Sequence, residues 1–355
     1  MRSSTDQADT PARPGRPRYT RQRNGPLRFL APLLAVLVLL VLITESLALG
    51  SRTLSPEEVW QGFLVYDNSV ASKVVWGLRI HRTILAIVVG ASLAVAGVVM
   101  QALTRNPLAE PGILGVNAGA SLAVVAAIGG LGLTSVNQYL PFAFAGAAAA
   151  AVLVHMMSRR SADSGPARLV LAGVALGASL SSITGTITMY NSKIFDSYRF
   201  WVVGSLENRK LEVLLWVAPF LAVVLVLALA SAHSLNALAL GDEQATALGV
   251  NLAVVRGVAF VALTLLCGAA TAAAGPISFI GLVIPHVVRL LVGADQKHLL
   301  AWSVVAGAGL LLAADVAGRL LIRPTELEAG IVTAFIGAPV LLVLAVTNRT
   351  NRRSA

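Results

Sequence analysis

The sequence predicts an all-α, polytopic membrane protein with about ten transmembrane helices, and its composition and its apolar runs support that prediction. The 355 residues have a mean hydropathy of +0.78, and 56% of them are apolar. Charged residues make up only 12%, whereas soluble proteins carry about 25%. So few charges cannot cover a water-soluble globule of this length. Ala and Gly are abundant and let neighbouring helices approach closely, so we expect many spans packed on one another.

Ten apolar runs, separated by polar or basic segments, define the predicted spans. Their lengths of about 20 residues fit the hydrocarbon thickness of a bilayer. They form one ten-helix domain at 29–348, between a basic, disordered cytoplasmic tail at 1–28 and a short cytoplasmic C-terminal tail at 349–355. The eighth run starts in the Gly- and Pro-broken stretch Gly275–Pro285, where we expect a short or re-entrant helix. The spans are predicted at residues 30–49, 83–104, 113–133, 138–157, 169–190, 211–232, 257–274, 277–292, 299–317 and 329–347.

The Lys and Arg residues indicate which side of the membrane each loop faces. About two thirds of the 27 basic residues fall in the N-terminal tail and in segments on the same side as that tail. Because basic residues concentrate on the cytoplasmic side, we predict a multi-pass protein of the cytoplasmic membrane with both termini in the cytoplasm. The net charge of +10 is explained by these loops beside the lipid bilayer, and no nucleic-acid partner is predicted. Cys267 is the single cysteine, so no intrachain disulfide can form.

The motifs of common enzyme and metal sites are missing from the sequence. No phosphate-binding loop of the pattern Gly-x-x-x-x-Gly-Lys-Ser/Thr occurs, so the chain has no such means of holding ATP. The five histidines are scattered, and no cluster of His, Cys, Asp or Glu has the spacing of metal ligands. We therefore predict no catalytic residues, no metal site and no cofactor.

Several motifs follow one another in a specific order. Leu78–Thr83 reads LRIHRT, Gln101–Gly115 reads QALTRNPLAEPGILG and Gly275–Gly281 reads GPISFIG. In these motifs, over about residues 30–347, the chain resembles the family of ABC-importer permeases for iron–siderophores, haem and vitamin B12. It is most similar to the ferric enterobactin-type permease subunits. His81 stands where the family usually has proline, so we expect a looser turn there. Further matching stretches are Leu171–Leu176, Gly204–Leu206, Leu240–Asp242, Pro285–Arg289 and Phe335–Pro339.

The resemblance implies the transmembrane subunit of an ATP-driven importer. It implies a second permease subunit, identical or paralogous, ATP-binding cassette ATPases inside and a substrate-binding protein or lipoprotein outside. The chain itself is then not an enzyme, because the partner subunits hydrolyse ATP. The implied cargo is a ferric siderophore or a similar metal chelate, with haem or vitamin B12 as the alternative. An ion-coupled secondary transporter is less favoured, because the sequence shows no mid-span carboxylate and no clear inverted repeat.

Arg79, Arg82 and Arg319 lie on the outer side in the predicted topology. In the resembled family, arginines at the matching positions pair with glutamates of the binding protein, so the resemblance implies that these three residues dock it. Arginine suits this task because its planar fork stays charged and binds carboxylates bidentately. Two other interpretations stay open. The side chains could be interfacial anchors, or Arg319 could pair with Asp315 four residues earlier.

The long inner loop 233–256 contains a short stretch with helix signals. Asp242 is expected as its N-cap and Gly249 as its C′ residue, and Ala245 and Leu248 are expected to share a face. The resembled family places its ATPase-coupling helix here, although a loop helix without a partner remains the alternative. The resemblance implies the coupling role for Gly241, Asp242, Glu243, Ala245, Leu248 and Gly249.

Two further groups of residues have predicted roles. Ile194, Tyr198 and Trp201 fall on one face of an outer amphipathic segment, which fits a gate or an aromatic belt equally well. Glu45 and Asp315 are the carboxylates nearest to span interiors, and intramembrane carboxylates are often functional. Because both are predicted near outer span ends, where water reaches, we expect them to be structural.

Overall fold

The computed structural model describes residues 27–50, 54–67, 69–133, 135–159, 166–207 and 209–353, and every regular element in these ranges is helical. Residues 1–26 of the predicted basic tail and the segment 160–165 lie outside them. The helices are α1 (Leu27–Ala48), α2 (Pro56–Leu64), α3 (Val70–Val74), α4 (Ile80–Thr104), α5 (Val116–Leu131), α6 (Val136–Arg159), α7 (Pro166–Tyr190), α8 (Ser192–Val202), α9 (Leu211–Ala230), α10 (Ala232–Leu240), α11 (Asp242–Ala247), α12 (Leu252–Ala274), α13 (Ile280–Val292), α14 (Gln296–Leu321) and α15 (Ala329–Arg353).

Each predicted span corresponds to one of these helices. Six spans, which contain α4, α6, α7, α9, α12 and α14, are long and apolar enough to cross a bilayer. The other four are shorter apolar helices at Leu33–Ala48, Val116–Leu131, Ile280–Val292 and Ala329–Val343. The predicted all-α, polytopic membrane fold is therefore confirmed. The last helix continues to residue 353, so it includes residues predicted as a C-terminal tail.

The second predicted span begins earlier than the sequence indicates. A continuous helix runs from Val70 to Thr104 and includes a π-helical turn at Val75–Arg79. The looser turn expected at His81 is wrong, because histidine, unlike proline, keeps its backbone N–H and extends the helix. Its ring nitrogen Nδ1 lies 3.1 Å from the carbonyl oxygen of Gly77, one turn earlier. Arg79 therefore ends the π-helical turn, and Arg82 projects from the first turn of α4.

The helices α5 and α13 are short and begin inside the protein. Their first residues, Val116 and Ile280, are both fully buried. The segment Gly275–Phe279 before α13 is not helical, which confirms the expected short helix in this stretch. Glu110 accepts a hydrogen bond at 2.7 Å from the backbone N–H of Phe279, next to the positive end of α13. The sequence did not reveal this carboxylate as a helix partner, because it lies in a loop between two predicted spans.

The helix α4 forms the centre of the bundle, and it is the most buried of the six long apolar helices. It packs on α9, α12, α13 and α14. A Cβ atom on Gly90 would lie 2.4 Å from the carbonyl oxygen of Gly307 on α14, and one on Gly97 would lie 1.9 Å from that of Gly281 on α13. Glycine at these crossings lets the backbones touch, as in other tightly packed membrane helices.

Candidate docking and coupling sites

A buried carboxylate joins the start of α4 to the end of α14. Arg82 on α4 donates from Nε to the two oxygens of Asp315 at 2.9 and 3.1 Å, and from Nη2 to Oδ1 at 2.7 Å. Its Nη1 donates to Glu326 at 2.6 Å. Arg319, one turn after Asp315 on α14, donates to the same carboxylate from Nη2. The internal pair that the sequence left open is therefore present.

Arg79 and Arg319 also close the C-terminal end of α1. Arg79 donates from Nη1 to the carbonyl oxygens of Leu47 and Ala48, each at 2.8 Å. Arg319 donates from Nη1 to the carbonyl oxygen of Ser46 at 2.9 Å and from Nη2 to its hydroxyl at 3.2 Å. The last carbonyls of a helix have no partner within that helix, so the two arginines supply the missing donors. Both are almost fully buried, at 4% and 2% exposure.

A cavity of about 230 Å³ lies against these side chains. Arg209, which also lines it, donates from Nε and Nη2 to the carbonyl oxygen of Ser205 at 3.1 and 3.0 Å. The buried Nε of Arg319 has no hydrogen-bond partner in the described part of the chain. The sequence analysis missed Arg209, because it lies three residues beyond the matching stretch Gly204–Leu206. The charged residues that line the cavity are Arg79, Arg82, Arg209, Arg319, Glu207 and Glu326. We call the four arginines the outer arginine cluster.

The short helix predicted in the inner loop exists, as α11. Gly249 follows it with a φ of 79° and donates its N–H to the carbonyl oxygen of Thr246 at 2.9 Å. The N–H of Val250 donates to the carbonyl oxygen of Ala245 at 3.0 Å, which completes a Schellman motif. The predicted C′ glycine is therefore confirmed. The N-cap is Gly241, with a φ of 114°.

Asp242 does not cap α11, so this part of the prediction is wrong. It occupies the first helical position, and its carboxylate pairs with arginines of two other helices. Arg256 on α12 donates from Nη2 to the two oxygens at 2.7 and 2.8 Å, and Arg105 after α4 donates from its own Nη2. Partial burial alone would raise the pKa of the Asp242 carboxyl, but these two arginines outweigh it and hold that pKa below its ordinary value.

Ala245 and Leu248 do not share a face, which corrects another expectation. The Ala245 side chain is fully buried, whereas Leu248 is 65% exposed. The reason is that α11 ends at Ala247 and Leu248 is its C-cap, where the chain turns away. Leu240, before α11, is also largely exposed, as is Glu243 on its first turn. The loop thus presents a small apolar surface with a carboxylate beside it.

The aromatic face predicted near the outer side is present on α8. Ile194 and Trp201 are buried, and Tyr198 packs against Trp201 with ring centroids 6.2 Å apart. A buried Trp201 does not face lipid, so an aromatic belt does not explain it. Phe200, on the opposite face, is exposed and lies under the guanidinium of Arg199 at 4.7 Å.

One face of α7 was missed by the sequence analysis. This helix is the least buried of the six long apolar helices, and it exposes Ser179, Ser182 and Thr186. In contrast, α9 contains no Ser or Thr, and beyond Glu212 on its first turn its exposed side chains, which include Trp216 and Val223, are all apolar. The run Ser179–Thr188, with six Ser or Thr residues in ten positions of the second half of a span, is the signal that could have revealed it. In the described ranges, no three His, Cys, Asp or Glu residues stand close enough to hold a metal ion.

Comparison with known proteins assigns the family. A model described as the FecCD transport family matches residues 37–347. The ferric enterobactin transport system permease protein of Escherichia coli is 43% identical over 311 residues, which are 87% of this chain and 93% of that protein. The vitamin B12 import system permease protein of Yersinia enterocolitica is 40% identical over 327 residues, 91% and 94% of the two chains. A solved structure described as an inward-facing metal-chelate type ABC transporter is 30% identical with a TM-score of 0.78, over 89% of this chain and 98% of that one. The resemblance found in the motifs is confirmed, and this multi-pass membrane protein belongs to the FecCD transport family.

Proposed function

We propose that this chain is the permease subunit of an ATP-driven importer that carries a ferric siderophore, or a similar metal chelate, across the cytoplasmic membrane. The observation that carries the proposal is the hydroxyl-bearing face of α7. A transmembrane helix faces lipid, protein or a water-filled path, and polar side chains collect on the last two. The exposed side of α9 has the apolar composition expected towards lipid. The α7 face instead meets a second permease subunit, and the two subunits line the pathway between them.

The proposed cargo follows from the relatives and from the character of this face. A ferric enterobactin permease and a vitamin B12 permease are similar in identity to this chain, at 43% and 40%. The motif stretch from Asn106 to Ala120 is most similar to ferric enterobactin-type subunits, which favours a siderophore over vitamin B12 or haem. Serine and threonine hydroxyls hydrogen-bond the polar edge of a bulky chelate without holding it by charge.

The proposed partners fit the two ends of the molecule. At the inner end, the exposed Leu248 and Leu240 form an apolar surface suited to a groove on an ATP-binding cassette ATPase. At the outer end, the arginine cluster and its cavity suit acidic side chains of a binding lipoprotein. The same arginines hold Asp315 and the end of α1, so docking would compete with contacts inside the chain.

The test is uptake by the reconstituted importer. We would purify the chain with its ATPase, its binding protein and a second permease copy or paralogue, and place the complex in proteoliposomes. We expect ATP-dependent uptake of iron as a ferric siderophore and none of haem or vitamin B12. Uptake of another cargo would overturn the substrate, and uptake driven by an ion gradient without ATP would overturn the mechanism.

A matched pair of variants tests the pathway itself. Ser182→Phe places a bulky ring on the hydroxyl face of α7, and Val223→Phe places the same ring on the apolar face of α9. We expect only Ser182→Phe to block uptake, because only that ring would enter the path or the subunit contact. Equal uptake by both variants would show that α7 does not line the pathway.

A further inference from the structure

We infer that Asp242, Arg105 and Arg256 form a positioning cluster that passes movement of α11 to the transmembrane helices α4 and α12. The inference rests on the proposed ATPase-coupling role of this loop and concerns how the loop is attached. Asp242 lies on the body side of α11 and pairs with both arginines. The surface left for a partner consists of other residues, with Leu248 the most exposed of its apolar side chains. Asp242 is thus assigned to transmission of force within the chain and not to contact with the ATPase.

Arg105 is placed to join three elements at one point. It is the C-cap of α4 and has a left-handed backbone, with φ 50° and ψ 31°, which few non-glycine residues adopt. This conformation turns the chain out of the helix and directs the side chain to the inner loop. Its Nε donates to the carbonyl oxygen of Leu238 on α10 at 3.2 Å, and its Nη2 donates to Asp242 on α11. A single guanidinium therefore ties both helices of the loop to the end of α4.

The loop is also tied to α14. Asn236 on α10 donates from Nδ2 to Asp295 at 2.9 Å, and its Oδ1 accepts from the backbone N–H of Gln296 at 2.9 Å. Ala245 is packed fully inside. Through these contacts a push on α11 reaches α4, α12 and α14.

The helix α4 extends this connection to the outer side. Arg82 near its start belongs to the outer arginine cluster, and Arg105 ends it about 35 Å away, at 1.5 Å per residue. The helix is deeply buried and crosses α14 at a glycine contact, so it shifts as a unit. The inner ion cluster and the outer arginine cluster thus lie at the two ends of one rigid element. A displaced α11 would change the geometry around Asp315.

The experiment separates transport from ATP hydrolysis in the reconstituted importer. The variants are Asp242→Asn, Arg256→Gln and the charge-swapped pair Asp242→Arg with Arg256→Asp. Lys297→Gln, which removes an exposed charge on the same side, is the control. We expect Asp242→Asn to keep the ATPase bound while cargo moved per ATP falls at least about fivefold, because two partly exposed ion pairs are lost together. The swapped pair should recover part of this ratio, and a structural role alone would lower protein yield without changing the ratio.

The outcomes distinguish this inference from the coupling surface itself. Leu248→Asp should release the ATPase, and normal ATPase binding in that variant would overturn the coupling role of the loop. If Leu248→Asp releases the ATPase but Asp242→Asn transports as much per ATP as the unmodified chain, only the positioning cluster is overturned. An equal fall in cargo moved per ATP in Lys297→Gln would also overturn the positioning cluster. If Asp242→Asn fails to insert into the membrane, Arg256→Gln becomes the test variant, because it keeps the Asp242 carboxylate and its pair with Arg105. The amount of cargo moved per ATP in that variant then tests the positioning cluster.

Discussion

Arg82 and Asp315, 233 residues apart in the chain, form a bidentate ion pair across α4 and α14, with Nη2 of Arg82 at 2.7 Å from Oδ1 and Nε at 3.1 Å from Oδ2. Asp315 is fully buried and also serves Arg319. Removing one member of such a buried group leaves its partners charged and unpaired, which costs more than the group contributes when it is complete. The outer arginine cluster is therefore a fold determinant as well as a candidate docking site.

The first prediction concerns that carboxylate. Asp315→Asn keeps the shape of the side chain but removes the only ion-pair partner that Arg319 has in the described ranges, while Arg82 keeps its pair with Glu326. We expect a loss of about 3–5 kcal/mol in unfolding free energy, the range for breaking buried ion pairs. Thermal unfolding in detergent and membrane abundance measure it.

The matched control is Asp196→Asn on α8. Asp196 pairs with Arg199 at 3.6 Å, and both side chains are more than half exposed. Such a pair contributes less than about 1 kcal/mol, so the control variant should unfold almost as the unmodified chain does. Similar losses in the two variants would show that Asp315 has no special role.

The second prediction concerns the crossing of α4 and α14. Gly90→Ala would place a methyl group 2.4 Å from the carbonyl oxygen of Gly307, and a backbone atom cannot move aside. We expect a loss of about 1–3 kcal/mol from overpacking. Gly257→Ala on α12 meets no atom within 4 Å, so it should instead stabilise that helix by up to about 1 kcal/mol. Opposite shifts in unfolding temperature would support the contact, and a harmless Gly90→Ala would refute it.

The fold could be predicted well because its main signal is local. An apolar run of about 20 residues is visible in one stretch of sequence, and all ten runs became helices. The boundaries were less accurate where the signal is weak. The resemblance to a proline-containing motif suggested a turn at His81, but the helix continues through this residue. The helix α15 extends past Asn348 because no glycine or proline follows Pro339.

The sequence could predict which residues belong to the candidate sites, but not which groups their side chains contact. The sequence indicated that Arg79, Arg82 and Arg319 lie on one side, yet their burial depends on where α1 ends in space. Asp242 was expected to cap its own helix because aspartate is a good cap residue. The sequence does not show whether such a residue caps its helix or pairs with a distant side chain. Its partner Arg105 lies 137 residues away, and no local pattern records such a distance.

The third prediction tests the orientation of the chain. Cysteine introduced at Glu57, which is exposed on α2, should react with a membrane-impermeant maleimide in intact cells. Cysteine at Lys297, exposed at the start of α14, should react only after the membrane is opened. The native Cys267 is buried and should give a low background. Labelling of the Lys297 position in intact cells would reverse the topology and place both termini outside.

The last prediction tests docking at the outer arginine cluster. Reversing Arg319 to Glu is a poor test, because it would set two carboxylates together beside Asp315 and unfold this region. Arg79→Gln is better, since glutamine can still donate to the α1 carbonyl oxygens but brings no charge. We expect the binding protein to bind the Arg79→Gln variant about tenfold more weakly, because a charge-assisted contact in an interface is lost. Arg79→Lys should lose less affinity.

Arg199→Gln, which removes an exposed arginine outside the cluster, is the control. Affinities should be measured in nanodiscs on equal amounts of inserted protein. If Arg79→Gln and Arg199→Gln both bind like the unmodified chain, the cluster serves the fold alone, because the charge at Arg79 then does not reach the partner.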